Sequence, residues 1–149
     1  MGLKVVIPLA GFGTRLRPHT YTKPKPLVNV AGKPVLGHIL DKLQSLDIDE
    51  IIFVVGYLGA QIEAYVNKNY QFPARYVEQK ELLGQAHALY LARDYMVGPV
   101  LIIFVDTIFE ADLSELLTTP YDGLLYVKEV EDPRRFGVAE VDSRGNVTR

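Results

Sequence analysis

The stretch Ala10-Gly11-Phe12-Gly13-Thr14-Arg15-Leu16-Arg17-Pro18, followed by Thr22-Lys23-Pro24-Lys25-Pro26-Leu27, concentrates residue types that suit a polyphosphate. Gly11 and Gly13 let the backbone bend tightly and bring its N–H groups against a ligand. Thr14 adds a hydroxyl, and Arg15 and Lys25 add two fixed positive charges. Prolines at 18, 24, 26 and 34 stiffen the region, which favours an ordered loop over a mobile one.

Two common phosphate loops are excluded. A dinucleotide fingerprint needs Gly at position 16, where Leu16 stands. A Walker A loop needs Ser or Thr after its Gly-Lys pair, and Gly32-Lys33 is followed by Pro34. Charge agrees with the loop. Residues 1–40 carry Lys4, Arg15, Arg17, Lys23, Lys25 and Lys33 and no acid, whereas the rest of the chain carries 10 Lys/Arg against 18 Asp/Glu. The chain is therefore +6 and then −8, an asymmetry that suits an anionic ligand near the start. A solvated cationic face is the rival reading. The acidic remainder and nine scattered tyrosines offer no base-stacking platform, so nucleic acid is not expected as a partner.

These residues need a scaffold, and the apolar patterning supplies one. Residues 3–9 predict a strand with Pro8 at its carboxyl end, where a missing N–H is tolerated. Val35, Leu36, Ile39, Leu40 and Leu43 predict a helix over 35–45. Further strands are expected at 51–55, 74–78, 100–105 and 124–130, and helices at 59–69 and 85–93. The run at 100–105 is the most apolar and is expected at the centre of the sheet, ending on Asp106. Asp112 and Glu115 resemble a capping box that opens a short helix to about residue 117. Residues 138–141 predict a strand, 142–146 a hairpin turn, and Val147 the start of its partner. This alternation implies a doubly wound α/β domain, with a mostly parallel sheet and helices on both faces. Ligands of such sheets bind at the carboxyl ends of the strands. The loop at 10–18, the segment after Glu78 and Asp106 all fall at such ends.

With 149 residues, 48% apolar and 23% charged, one globular domain is expected, burying roughly 70% of its unfolded surface. There is no cysteine, which removes disulfides and thiolate metal sites. No run reaches ~18 apolar residues, so no membrane span is expected; no leader is visible, and a cytoplasmic location is the expectation.

Taken whole, Gly11-x-Gly13-Thr14-Arg15-Leu16-x-Pro18 with Lys23-Pro24-Lys25-Pro26-Leu27 resembles the signature of the sugar-1-phosphate nucleotidyltransferases, or nucleotide-sugar pyrophosphorylases, and in particular the glucose-1-phosphate thymidylyl- and uridylyltransferases. Gln79 with Leu83-Gly84-Gln85-Ala86 resembles that family's nucleobase segment, Asp106 its metal-binding Asp, and Phe136-Gly137-Val138 its sugar-proximal segment. The resemblance implies a Rossmann-like core and a reaction. A nucleoside triphosphate and a sugar 1-phosphate would give a nucleotide-sugar and pyrophosphate, with Mg²⁺. It implies Arg15 and Lys25 as catalytic residues, with Leu9, Ala10, Gly11, Gly13, Thr14, Gln79 and Gly84 holding the nucleotide. Asp106 would hold the metal and Gly137 would lie near the sugar. Lys23 is the rival of Lys25, and Glu110 and Asp112 are weaker metal candidates. His19, His38 and His87 do not cluster and read as packing or surface residues. Gln79 favours dTTP or UTP, because an amide pairs with both a donor and an acceptor on a pyrimidine edge. Glucose 1-phosphate is the default sugar, and a homo-oligomer is compatible with the family.

The sequence departs from the family at Ala10, where many members have Gly, and at Val105, where many have Gly before the metal Asp. A Glu-Lys pair near the sugar and a second metal Asp would fall beyond Arg149. Residues 1–149 are therefore expected to be the N-terminal, nucleotide-binding part of a longer protein. The alternative is a nucleotide-binding or regulatory module without turnover.

Overall fold

The structure, a computed structural model, describes residues 2–149, the side chains of Leu117 and Arg135 excepted. The chain divides into two compact units, Met1–Leu117 and Thr118–Arg149.

The first unit is built on a four-stranded parallel sheet. Its strands are β1 (Leu3–Pro8), β4 (Ile48–Val55), β5 (Ala74–Glu78) and β6 (Val100–Ile102), in the order β5-β4-β1-β6. A short antiparallel ribbon, β2 (Asn29–Val30) with β3 (Lys33–Pro34), stands apart. The helices are α1 (Val35–Leu43), α2 (Gly59–Asn69) and α3 (Gln85–Ala92).

Successive strand residues point to opposite faces, and both faces are covered. On one face Val5 and Ile7 of β1 and Ile51 and Phe53 of β4 pack with Leu36, Ile39, Leu40 and Leu43 of α1 and Ile62 and Val66 of α2. On the other, Val6, Ile52 and Val54 pack with Ala88 and Ala92 of α3. This two-sided burial explains the near-continuous apolar runs of β1 and β4. The expected α/β architecture, a parallel sheet with helices on both faces, is the one observed.

Three expectations need correction. Residues 100–105 do not form the central strand. β6 pairs only with β1 and is an edge of the sheet, and its regular pairing stops at Ile102. The next residue continues for one bond, Ile103 N–H to the Val6 carbonyl at 3.0 Å, before the chain turns toward Asp106. The run is apolar without being central: Ile103 and Val105 are buried, but Ile102 and Phe104 are exposed. Residues 124–130 form no strand among the described residues, since no ladder partner meets them. Residues 138–141 do not form a full strand among the described residues, although Val141 bridges Val147 and the Glu140 N–H donates to the Arg149 carbonyl at 2.8 Å, so the expected pairing is present in part.

In the second unit, taken by itself, the expected hairpin turn is present. Asp142 Oδ1 accepts from the N–H groups of Arg144 and Asn146 at 2.8 and 2.9 Å, an arrangement suited to Asp at the start of a turn. No helix among the described residues is long and apolar enough to cross a membrane.

Candidate functional site

The carboxyl ends of β1 and β5 and the residues that follow β6 surround one cavity of about 550 Å³, within the size range of small-molecule sites. β1 contributes Pro8 and the loop Leu9, Ala10, Gly11, Gly13, Thr14, Arg15 and Leu16. The segment after β5 contributes Gln79, Leu82, Gly84 and Gln85, and Phe104, Val105 and Asp106 follow β6. Lys25 and Pro26 close the side beside the loop. Residues as far apart in sequence as Pro8 and Asp106 meet here because a parallel sheet gathers its strand ends at one edge.

The loop is held from behind. Gly13 sits at φ 61°, ψ 34°, in the left-handed region, at the start of a 3₁₀ turn over Thr14–Leu16. A Cβ there would stand 2.9 Å from Lys25 Cβ and 3.1 Å from Thr20 Cγ2, so both conformation and space require glycine. The buried Thr20 donates its hydroxyl to the Gly13 carbonyl at 2.8 Å. Further along, Tyr57 Oη donates to the Tyr21 carbonyl and Gln61 Nε2 to the Thr22 carbonyl, at 2.8 and 3.0 Å. These contacts tie the long connection to the start of α2, in keeping with an ordered loop.

Charge is arranged unevenly. Arg15 is exposed on the cavity and has no ion-pair partner among the described residues. Lys25 begins a 3₁₀ turn whose Pro26 and Leu27 are buried. Its ammonium meets the Asp106 carboxylate at 3.2 Å. Lys23 does not line the cavity. Glu110 pairs with Lys42 at 2.9 Å. Asp112 accepts from the Ser114 N–H at 2.9 Å, just before the 3₁₀ turn Ser114–Leu117, and that bond holds its carboxyl below the usual range.

Gln79 is only 5% exposed, although it lines the cavity. Its backbone N–H donates to the Val55 carbonyl at 2.7 Å, which extends the β4–β5 pairing by one residue. Its side-chain nitrogen lies 3.1 Å from the Gly84 carbonyl and 3.0 Å from His87 Nδ1. Gly84, at φ 94° and ψ −179°, turns the chain into α3, a backbone region essentially confined to glycine. Sequence reasoning passed over Thr20 and read His87 as a packing or surface residue. Their signal is spatial, since neither belongs to a recognisable motif. Gly137 lies in the second unit, where it is exposed.

Among the described residues no three His, Cys, Asp or Glu side chains cluster as a preformed metal cage. Asp106 offers one half-exposed carboxylate at the cavity. That donor set fits Mg²⁺, which takes one or two carboxylates and completes its shell with phosphate oxygens and water.

A family model described as nucleotidyl transferase matches residues 4–149. The bifunctional protein GlmU of Methanocaldococcus jannaschii is 39% identical over 145 residues, which cover 97% of this chain and 34% of that protein. The UTP–glucose-1-phosphate uridylyltransferase AglF of Haloferax volcanii is 35% identical over 153 residues, covering 98% of this chain and 63% of AglF. Among solved structures, a Bacillus anthracis protein described as a glucose-1-phosphate thymidylyltransferase, in complex with sucrose, superimposes with a TM-score of 0.85 at 28% identity. That match covers 98% of this chain and 62% of the other. The chain thus spans about a third of the GlmU relative's length and less than two thirds of the other two.

Proposed function

The chain belongs to the nucleotidyl transferase family, and we propose that its cavity holds the triphosphate donor in transfer of a nucleotidyl group from UTP or dTTP to a sugar 1-phosphate. One observation carries this reading: Arg15 and Lys25 line the same cavity as Gln79, Gly84 and Asp106. Cations for a polyphosphate, an amide for a base and a carboxylate for a hard cation are thereby within one ligand's length. The uridylyl- and thymidylyltransferase relatives support the two nucleotides and glucose 1-phosphate as first acceptor.

In the reaction an oxygen of the sugar phosphate attacks the α-phosphorus. A P–O bond forms there, the bond to the β-phosphate oxygen breaks, and pyrophosphate leaves. A phosphate monoester is largely dianionic near pH 7, its second pKa being about 6, so the site needs no general base. It must instead hold two repelling anions in line and offset the charge on the leaving group. The N–H groups of residues 10–14 cradle the triphosphate in this reading. Arg15 meets the β- and γ-phosphates and the departing pyrophosphate, and Lys25 bridges the reacting phosphoryl groups. When Mg²⁺ is bound it supplies further positive charge against the phosphate oxygens, with Asp106 as its protein ligand. Residues 1–149 are then the nucleotide-binding part of the domain, and Gly137 carries a sugar-side assignment on family resemblance alone.

A titration of UTP and dTTP with and without Mg²⁺, beside a pyrophosphate-release assay with glucose 1-phosphate, tests the proposal. Mg²⁺-assisted binding is the expected result for residues 1–149, with release expected from a chain of the relatives' full length, which carries the sugar side as well. Binding without release from that longer chain supports a nucleotide-binding module, and the absence of any triphosphate binding rejects the assignment of the cavity.

A further inference from the structure

We propose that His87 is a positioning residue that fixes the orientation of the Gln79 amide, and so sets which nucleobase edge the cavity accepts. The inference rests on the reading that Gln79 faces the base. His87 does not line the cavity; it stands in the first turn of α3, half-buried, and its Nδ1 lies 3.0 Å from Gln79 Nε2.

The hydrogen-bond inventory leaves little choice. The Gly84 carbonyl only accepts, so the amide nitrogen of Gln79, not its oxygen, faces it at 3.1 Å. That nitrogen carries two hydrogens and accepts nothing. The 3.0 Å contact with His87 is a hydrogen bond only if Nδ1 is the acceptor, which puts the ring proton on Nε2. Both amide hydrogens are then engaged inside the protein, and the group keeps only its oxygen for a ligand. Both partners come from the start of α3, Gly84 as its cap and His87 three residues on. The helix start therefore holds the amide as one rigid unit with the wall of the cavity.

An amide reduced to an acceptor discriminates between pyrimidines. Uracil and thymine present a ring N3–H, which it accepts. Cytosine presents a bare N3, which places two acceptors face to face. This narrows the expectation that Gln79 pairs with both a donor and an acceptor. Without an acceptor at position 87, one amide hydrogen returns to the ligand and cytosine becomes tolerable.

The test compares UTP and CTP binding to the wild-type chain, His87→Leu and His87→Asn. The wild type is expected to prefer UTP. His87→Leu should lower the UTP-to-CTP affinity ratio about tenfold, the scale of one hydrogen bond, and His87→Asn, whose side-chain oxygen replaces Nδ1 as acceptor, should restore most of it. A ratio unchanged in His87→Leu, or equally reduced in both variants, overturns the proposal. A ¹⁵N–¹H correlation of the imidazole in the wild type needs no variant to fold: the Nε2–H tautomer is expected, and the Nδ1–H tautomer overturns it. Triphosphate binding with no effect of position 87 defeats this inference alone. A wild-type protein that binds neither nucleotide defeats the reading of the cavity, and this inference with it.

Discussion

Arg15 and Lys25 differ in how far each is committed before a ligand arrives. Arg15 waits on the cavity wall without an ion-pair partner among the described residues. Lys25 is held by Asp106 at 3.2 Å, with side chains 34% and 55% exposed. A pair that open is worth at most about 1 kcal/mol, so a triphosphate can separate it at little cost. Losing a preorganised charge that meets developing negative charge costs far more. In a chain of the relatives' full length, Arg15→Ala is expected to lower steady-state pyrophosphate release at least ~100-fold, and Lys25→Ala to act on a similar scale. Lys23→Ala is the control, because Lys23 is two residues away yet off the cavity, and it should change release by less than about threefold. An Arg15→Ala effect below threefold, or a Lys23→Ala effect equal to that of Lys25→Ala, rejects these roles.

At the scale of elements, legibility followed how each element is buried. β1 and β4 are buried on both faces and read as apolar runs, while α1 shows a clean helical stripe, so all three were visible in sequence. The β2–β3 ribbon was not. Its strands have two residues each, too few for any period, and its only local mark is the turn at Ala31 and Gly32, with φ of 50° and 84°. The Gln79–His87 contact was hidden because its partners lie eight residues apart across a loop and a helix start. The same blindness to space hid an anchor of the ribbon: Asp41 of α1 takes an ion pair from Lys33 of β3 and a hydrogen bond from Tyr70 Oη at 2.9 Å. The Lys33 ammonium, with help from Tyr70, holds the Asp41 carboxyl below its ordinary value of 3.8, while burial and then Asp41 push the Tyr70 hydroxyl well above its own. A depressed carboxyl pKa stabilises the fold above the unfolded value, and that contribution disappears as pH falls through the folded one. Asp41→Asn should therefore be less stable than wild type in urea at pH 7, with the two curves converging between about pH 4 and pH 2. An offset that stays constant across that range would sink the assignment. Tyr70→Phe, which also loses the bond to the Gly37 carbonyl at 3.2 Å, should cost about 1 kcal/mol.

For the molecule as a whole, the +6 block at the start of the sequence overstates the field at the cavity. Lys4 is drawn to Glu50 at 3.5 Å, and Lys33 is paired with Asp41. Arg17 lies over the Tyr21 ring at 5.2 Å. Of the six cations in residues 1–40, only Arg15 and Lys25 line the cavity. Triphosphate binding should thus respond to salt through two side chains rather than six, since exposed charges beyond a Debye length of about 8–10 Å are largely screened. Raising NaCl from about 50 to about 500 mM is expected to weaken UTP binding by roughly tenfold in the wild type. The double variant Arg15→Ala/Lys25→Ala should bind weakly at both concentrations, with most of that dependence gone. Lys4→Gln should keep the full wild-type dependence, because Glu50 retains Arg75 at 2.9 Å and the cavity loses nothing. If Lys4→Gln flattens the salt response as much as the double variant does, the attraction is a property of the whole basic segment, and the local cradle of Arg15 and Lys25 is not what draws the phosphate.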